Sequence, residues 1–278
     1  MNRALVLLPL ALTACKAPVE APTEISELSA YMFQYFDNED ADELFAAELV
    51  LEDYLAGLDL TASVNDRAVS LTPLVGESVE GITIPEGVDP NLQIPVAVSG
   101  ISRHGIDAQV GLILDENQIC VASDSVKYAA RTFLSDAGCF GDGTCDTLST
   151  MNEVRRETFV AKVWYDTPGD FRRLTLDDGR QVILGRSWLE RQFIGDSGDT
   201  SWDQSYALDV FIEDPAASGQ TLRFYAMWSS VTIPGLGDDA YAGLVKSGVD
   251  EYYENADNMV DGEVCGNDRD RENDRPAE

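Results

Sequence analysis

Alternating apolar residues in the second half of the chain, punctuated by turn signals, constrain the fold more than any other feature. Phe159, Ala161, Val163 and Tyr165 occupy every second position, which places them on one face of an extended strand. Asp178-Gly179 separates Phe171 to Asp177 from Arg180 to Phe193, the pattern of a tight hairpin turn. Tyr206 to Ile212 and Leu222 to Ile233 extend the series. A run of antiparallel strands with an apolar face needs a cover. Residues 238–260 supply one, because Tyr241, Leu244, Val245, Val249, Tyr252, Ala256 and Met259 recur at helical spacing. Asp238 and Asp239 stand where a helix N-terminus favours negative charge.

The first half reads differently. Ile25, Leu28, Met32 and Tyr35 or Phe36, and then Leu44, Phe45, Leu49, Leu51, Leu55 and Leu58, are spaced for two helices within residues 24–58. Their rings, Tyr31, Phe33, Tyr35 and Phe36, suit a core. Residues 59–105 carry Pro73, Pro85, Pro90 and Pro95 and read as a connecting region with short strands. Ile106, Ala108, Val110, Leu112 and Leu114 alternate, so a hairpin is expected through Ile119 and Val121, followed by a short helix from Ser125 to Ser135.

The expected class is therefore α+β. An N-terminal helical hairpin (24–58) and a connecting region (59–105) precede an α+β domain (106–265), in which a curved antiparallel sheet is closed by a long C-terminal helix. An acidic disordered tail (266–278) ends the chain. This element order resembles that of the helix-grip folds. The resemblance implies a cavity between sheet and helix for a lipid or other apolar ligand, lined by residues such as Trp164, Trp188, Tyr225 and Trp228. The alternative is that these rings simply pack the sheet core.

The N-terminus has its own signature. Met1-Asn2-Arg3 is a short positive start, Ala4 to Leu12 is apolar, and the segment ends in Leu12-Thr13-Ala14-Cys15. The apolar run is far shorter than the roughly 20 residues that span a bilayer. The last four residues resemble the lipobox of bacterial lipoproteins. The resemblance implies a diacylglyceryl thioether on Cys15, cleavage by signal peptidase II between Ala14 and Cys15, and stable attachment to a membrane without a span. Residues 1–14 are then a signal peptide, and residues 15–23, with two prolines, a tether. Lys16 in place of Asp implies the outer membrane of the cell envelope as the location.

Charge narrows the partners. With 50 acidic residues against 19 basic ones, the formal charge is −31. A nucleic-acid partner is excluded as an expectation, since that affinity comes from Lys and Arg neutralising phosphates. With Cys15 lipidated, Cys120, Cys139, Cys145 and Cys265 form an even set in a compartment where disulfides persist. Four cysteines allow three connectivities. The two glycines between Cys139 and Cys145 favour that pair, leaving Cys120 with Cys265.

Chemistry is weakly marked. Gly195-Asp196-Ser197-Gly198 resembles the start of a serine-protease nucleophile signature, but Asp199-Thr200 breaks it, and the single histidine, His104, lacks the matching context. Glycine-bearing acidic loops at Asp142, Gly143 and Asp146, and at Asp257, Asp261 and Gly262, offer oxygen ligands suited to calcium, without the spacing of an EF-hand. No cofactor is expected, calcium being the one these loops leave open. The expected function is that of an envelope-anchored binding or structural lipoprotein that holds an apolar small molecule. The alternative is an interaction module that presents the helices of residues 24–58 to an envelope protein, and the third reading is a hydrolase using Ser197.

Overall fold

The structure is a computed structural model that describes residues 19–122, 126–157, 162–195 and 198–262. Residues 1–18, with Cys15, and 263–278, with Cys265, lie outside the described residues, as do Ser125, Phe159, Ala161 and Ser197. Two helices come first, α1 (Ile25–Gln34) and α2 (Asp42–Ala56), with Asp42 and Glu43 in the first turn of α2. Then follow β1 (Ala68–Ser70), β2 (Ile94–Ser102), α3 (Ile106–Ile113), β3 (Val126–Phe133), the short α4 (Ala137–Gly141), β4 (Thr147–Glu157) and β5 (Lys162–Thr175). β6 (Gln181–Trp188), β7 (Phe193–Ile194), β8 (Ser201–Glu213), β9 (Thr221–Thr232) and the long α5 (Asp238–Val260) complete the chain. The fold is mixed α+β, with a large antiparallel sheet and a C-terminal helix.

The sheet runs β1-β2-β9-β8-β6-β5-β4-β3, with β7 beside β8. At the Asp178-Gly179 turn Gly179 takes φ +87°, a conformation that favours glycine, and Asp178 accepts the Arg180 amide at 3.0 Å. Three expectations are corrected. Residues 106–113 form α3 rather than a strand. Ile106, Val110 and Ile113 also fit the spacing i, i+4, i+7, and that face packs on Phe171, Ile183 and Phe211. Residues 126–133 form β3 rather than a helix. Pairing with β4 overrides the helical preference of Ala129, Ala130 and Arg131, and a bulge between Val126 and Tyr128 spoils the alternation that would have signalled a strand. Finally, the connecting region contains a full nine-residue strand, β2, paired along its length with β9.

Both faces of the sheet are covered. On the outer face Leu184, Leu208, Val210, Phe224 and Trp228 meet Leu28, Met32, Phe33, Leu44 and Leu51 of the helical hairpin in one core cluster. The hairpin's apolar stripe is thus spent on the sheet, and what α2 shows to solvent is the single large apolar residue Leu49. That removes the apolar patch an interaction module built on these helices would need. Arg172 donates to the Phe36 and Asn38 carbonyls at 2.7 and 2.6 Å beyond the end of α1. Arg186 lies among the rings of Phe33, Phe36 and Trp188 and pairs with Asp37 at 2.6 Å.

Glu48 stands on the buried stripe of α2, and neither of its carboxyl oxygens has a hydrogen-bond partner among the described residues. Burial, then the like charge of Glu52, pushes its pKa from 4.5 up to about 8, against the pull of Arg180. The folded protein therefore holds a proton that the unfolded chain has released between pH 4.5 and 8, so this group makes stability fall as pH rises through that window. Glu48→Leu is expected to stabilise the protein at pH 8 by about 1–4 kcal/mol and to flatten the decline. Urea unfolding from pH 5 to 9 measures both effects; a variant with an unchanged slope would contradict this account.

Candidate functional site

The opposite, inner face of the sheet is where packing fails to close. Residues of β8 alternate sharply: Tyr206, Leu208, Val210 and Ile212 fill the outer core, whereas Ser205, Ala207 and Asp209 point inward. Ser187 of β6 and Met227 of β9 flank Ala207 in register. Side chains this small do not reach the helix that crosses above them. A cavity of about 480 Å³ results, within the range of small-molecule sites. Its floor is the inner face of β4, β5, β6, β8 and β9. Its roof is α5, through Tyr241, Val245, Val249 and Tyr252.

A polar clamp holds α5 away from that floor. Arg223 of β9 is almost fully buried, forms an ion pair with Asp257 at 2.9 Å, and donates to Gln109 at 2.8 Å and to the Tyr253 carbonyl at 3.0 Å. Asp257 also accepts from the Ser102 hydroxyl at 2.6 Å. Tyr253 donates its hydroxyl to the Val98 carbonyl at 3.1 Å, and its ring lies so close to Gly100 that a Cβ there would come within 2.7 Å of it. Arg67 pairs with Asp250, and Arg103 with Asp261. The C-terminal half of α5 is thereby fixed along β2 and β9. At the other end Tyr241 shares a 2.7 Å hydrogen bond with Ser229. Between these anchors the helix bridges the cavity.

The walls are mostly apolar or aromatic. Tyr165 stacks on Trp202 with ring centroids 5.5 Å apart, Trp202 meets Tyr241 edge-on, and the Arg156 guanidinium lies 5.3 Å from the Trp202 ring centre. Burial pushes the hydroxyls of Tyr241 and Tyr252 up to about 12 and raises that of Tyr225 well above its ordinary value, so all three are neutral at physiological pH. Leu244, drawn from sequence as part of the buried stripe of α5, lines the cavity yet remains 59% exposed. It marks the solvent side of the site, together with Ser247.

Of the four aromatics expected in such a site, the structure brings Tyr225 to the cavity and takes three elsewhere. Trp228 is one residue of odd parity away from Tyr225 and Met227, so it faces the helical hairpin, where Nε1 donates to the Thr72 carbonyl at 3.0 Å. Trp188 lies beside Arg186 on the same outer face. Trp164 is out of phase with Tyr165 and packs on Tyr128 and Arg155. Sequence reading missed Trp202 and Asp209, the latter legible only as an acid on the small-residue face of β8.

The other expected sites resolve as follows. Cys139 and Cys145 form a disulfide that ties α4 to the loop after it. Cys120 closes the short turn Gln118–Cys120, and its expected partner Cys265 lies outside the described residues. In the two acidic loops Asp142 accepts from the Thr144 amide and hydroxyl at 3.0 and 2.6 Å, and Asp257 and Asp261 are engaged by arginines. Among the described residues no group of three acidic, His or Cys side chains is placed to hold a metal, and no helix is long and apolar enough to cross a membrane. His104 Nε2 lies 3.2 Å from Asp261 Oδ1, and Ser197 lies outside the described residues.

No family model and no curated protein matches the chain. Several solved structures are loosely similar. A STAR-related lipid transfer protein from Xanthomonas axonopodis is 13% identical, with 60% of this chain and 85% of that one covered at a TM-score of 0.41. A human lipid transfer and protein localization domain is 12% identical, with 77% and 94% covered at 0.38. An aromatase/cyclase from a Streptomyces species is also 12% identical, with 61% and 92% covered at 0.34.

Proposed function

We propose that the protein is a lipid-anchored component of the bacterial envelope that binds an apolar small molecule between its sheet and α5, without catalysing a reaction on it. One observation carries the binding reading: a cavity of about 480 Å³ with a mainly apolar, aromatic wall, roofed by a single helix clamped at both ends. Apolar walls of this extent gain most by exchanging water for a nonpolar occupant. The order of elements, strands in series closed by a C-terminal helix, supports a helix-grip reading of the fold. Membrane attachment through Cys15 belongs to the same proposal and rests on Leu12-Thr13-Ala14-Cys15.

Native mass spectrometry of the protein extracted from its membrane in mild detergent tests both halves. The expected mass corresponds to a chain beginning at acylated Cys15, carrying one organic-extractable molecule per protein. A chain retaining residues 1–14 would overturn the anchor. A protein that carries no apolar adduct, and takes none up when incubated with lipid vesicles, would overturn the binding function.

A further inference from the structure

The cavity has two unlike ends. Toward Leu244 and Ser247 it meets solvent; toward α3 it stops against the solid cluster of Ile106, Val110, Ile113, Phe171 and Phe211. Asp209 stands at that closed end, opposite Gly185 on β6 and Tyr225 on β9. The smallness of Gly185 accommodates it: a Cβ there would lie 3.3 Å from the Asp209 side chain and 2.8 Å from the Phe171 ring.

No hydrogen bond to the Asp209 carboxyl occurs among the described residues; its surroundings act on it through burial and through the charges of Arg131 and Arg223. Both arginines are spent elsewhere. Arg131 donates to Asn152 at 2.8 Å and to the Ile113 carbonyl at 2.6 Å, and Arg223 belongs to the clamp. Behind Asp209 a second void of about 30 Å³ has room for no more than a water molecule. The remaining hydrogen-bonding capacity of the carboxyl therefore addresses the main cavity. The carboxyl is part-buried and reached through the cavity, so an occupant that displaces water from it gains where it replaces those hydrogen bonds and loses where it does not.

Resting on the binding function above, we propose that Asp209 selects the ligand: the molecule held is an apolar body ending in one uncharged hydroxyl or carbonyl group, inserted head-first against this carboxyl. A cationic head would meet Arg131 and Arg223, and an anionic head would give up its hydration for guanidinium groups already engaged by Asn152, the Ile113 carbonyl and Asp257. Burial pushes the Asp209 pKa up to about 7, so around neutrality much of it is a protonated carboxyl that both donates and accepts. The titratable and charged groups facing it are Arg131 on β3, Arg223 and Tyr225 on β9, and Tyr252 and Tyr253 on α5.

The test uses the full chain and displacement of the fluorescent hydrocarbon diphenylhexatriene by 1-dodecanol and by dodecane. In Asp209→Leu the ratio of dodecanol to dodecane affinity is expected to fall by about 10- to 100-fold, with dodecane affinity retained. An unchanged ratio overturns the role of Asp209 and leaves the cavity as a binding site. Failure of both probes to displace the dye from the wild type overturns the binding function and this inference together. If Asp209→Leu does not fold, the wild type decides with 2-dodecanone, which only accepts hydrogen bonds. Its affinity relative to dodecane is expected to drop about fivefold or more between pH 5.5 and 8.5, as Asp209 loses its proton, and a constant ratio overturns the proposal.

Discussion

Replacing Arg223 with methionine is expected to destabilise the protein by about 3–5 kcal/mol, the usual cost of removing one partner from a buried ion pair. The side chain is 1% exposed and its partner Asp257 only 9%, so neither charge has water as a substitute. Methionine keeps the apolar bulk of the stem but leaves Asp257 with the Ser102 hydroxyl and the edge of Arg103, and leaves the Gln109 and Tyr253 oxygens without their donor. The effect should be local in structure and large in energy. Amide exchange is expected to quicken first along the second half of α5 and in β2, the elements that the clamp joins. Urea unfolding gives the magnitude. A loss below about 1 kcal/mol would mean that α5 is held by its apolar contacts, such as Val249 and Tyr253 against Val96 and Val98, and that the polar clamp is incidental.

That clamp was not legible in the sequence, and the reason is physical. Arg223 and Asp257 are 34 positions apart, one on a strand and the other on a helix, and nothing in either local pattern announces that they meet. What is legible is whatever depends on local periodicity. The stripe of α5, the Asp178-Gly179 turn, and the strands around Tyr206 to Ile212 and Leu222 to Ile233 each follow from a run of residues long enough for one period to dominate. Where two periods fit equally the reading fails, as for Ile106, Val110 and Ile113. Where the inner face is not hydrophobic there is no period to find: β4 presents Asn152 and Arg156 to the cavity, so this strand showed no alternation.

The cavity itself was half legible. Its place between sheet and terminal helix follows from the order of elements, but three of the four aromatics proposed for it point the wrong way. Both faces of β8 and β9 are buried, and large rings are equally at home on either, so an aromatic residue by itself does not say which face is hollow. The informative residues are the small ones. Ser205, Ala207 and Asp209 mark the face of β8 where side chains are too short to meet a cover, opposite the well-filled Tyr206, Leu208 and Val210.

Filling that hollow should separate binding from folding. Ala207→Phe is expected to lower affinity for an apolar ligand by at least about tenfold, because the ring would occupy the floor between Ser187 and Met227 where the ligand body lies. Stability should stay level or rise by about 0.5–2 kcal/mol, as cavity-filling changes do when the ring meets open space rather than packed atoms. The neighbouring outer-face change, Leu208→Ala, predicts the reverse: a loss of about 2–5 kcal/mol in stability with the affinity of the folded protein unchanged, since Leu208 packs under the helical hairpin. Two residues adjacent in sequence thus give opposite phenotypes, set only by the face each one takes. Dye displacement and urea unfolding on both variants measure this. If Ala207→Phe binds as well as the wild type, the hollow over β8 is not where the ligand sits, whatever its volume. If it instead unfolds the protein, the inner face is packed more tightly than a space of about 480 Å³ allows.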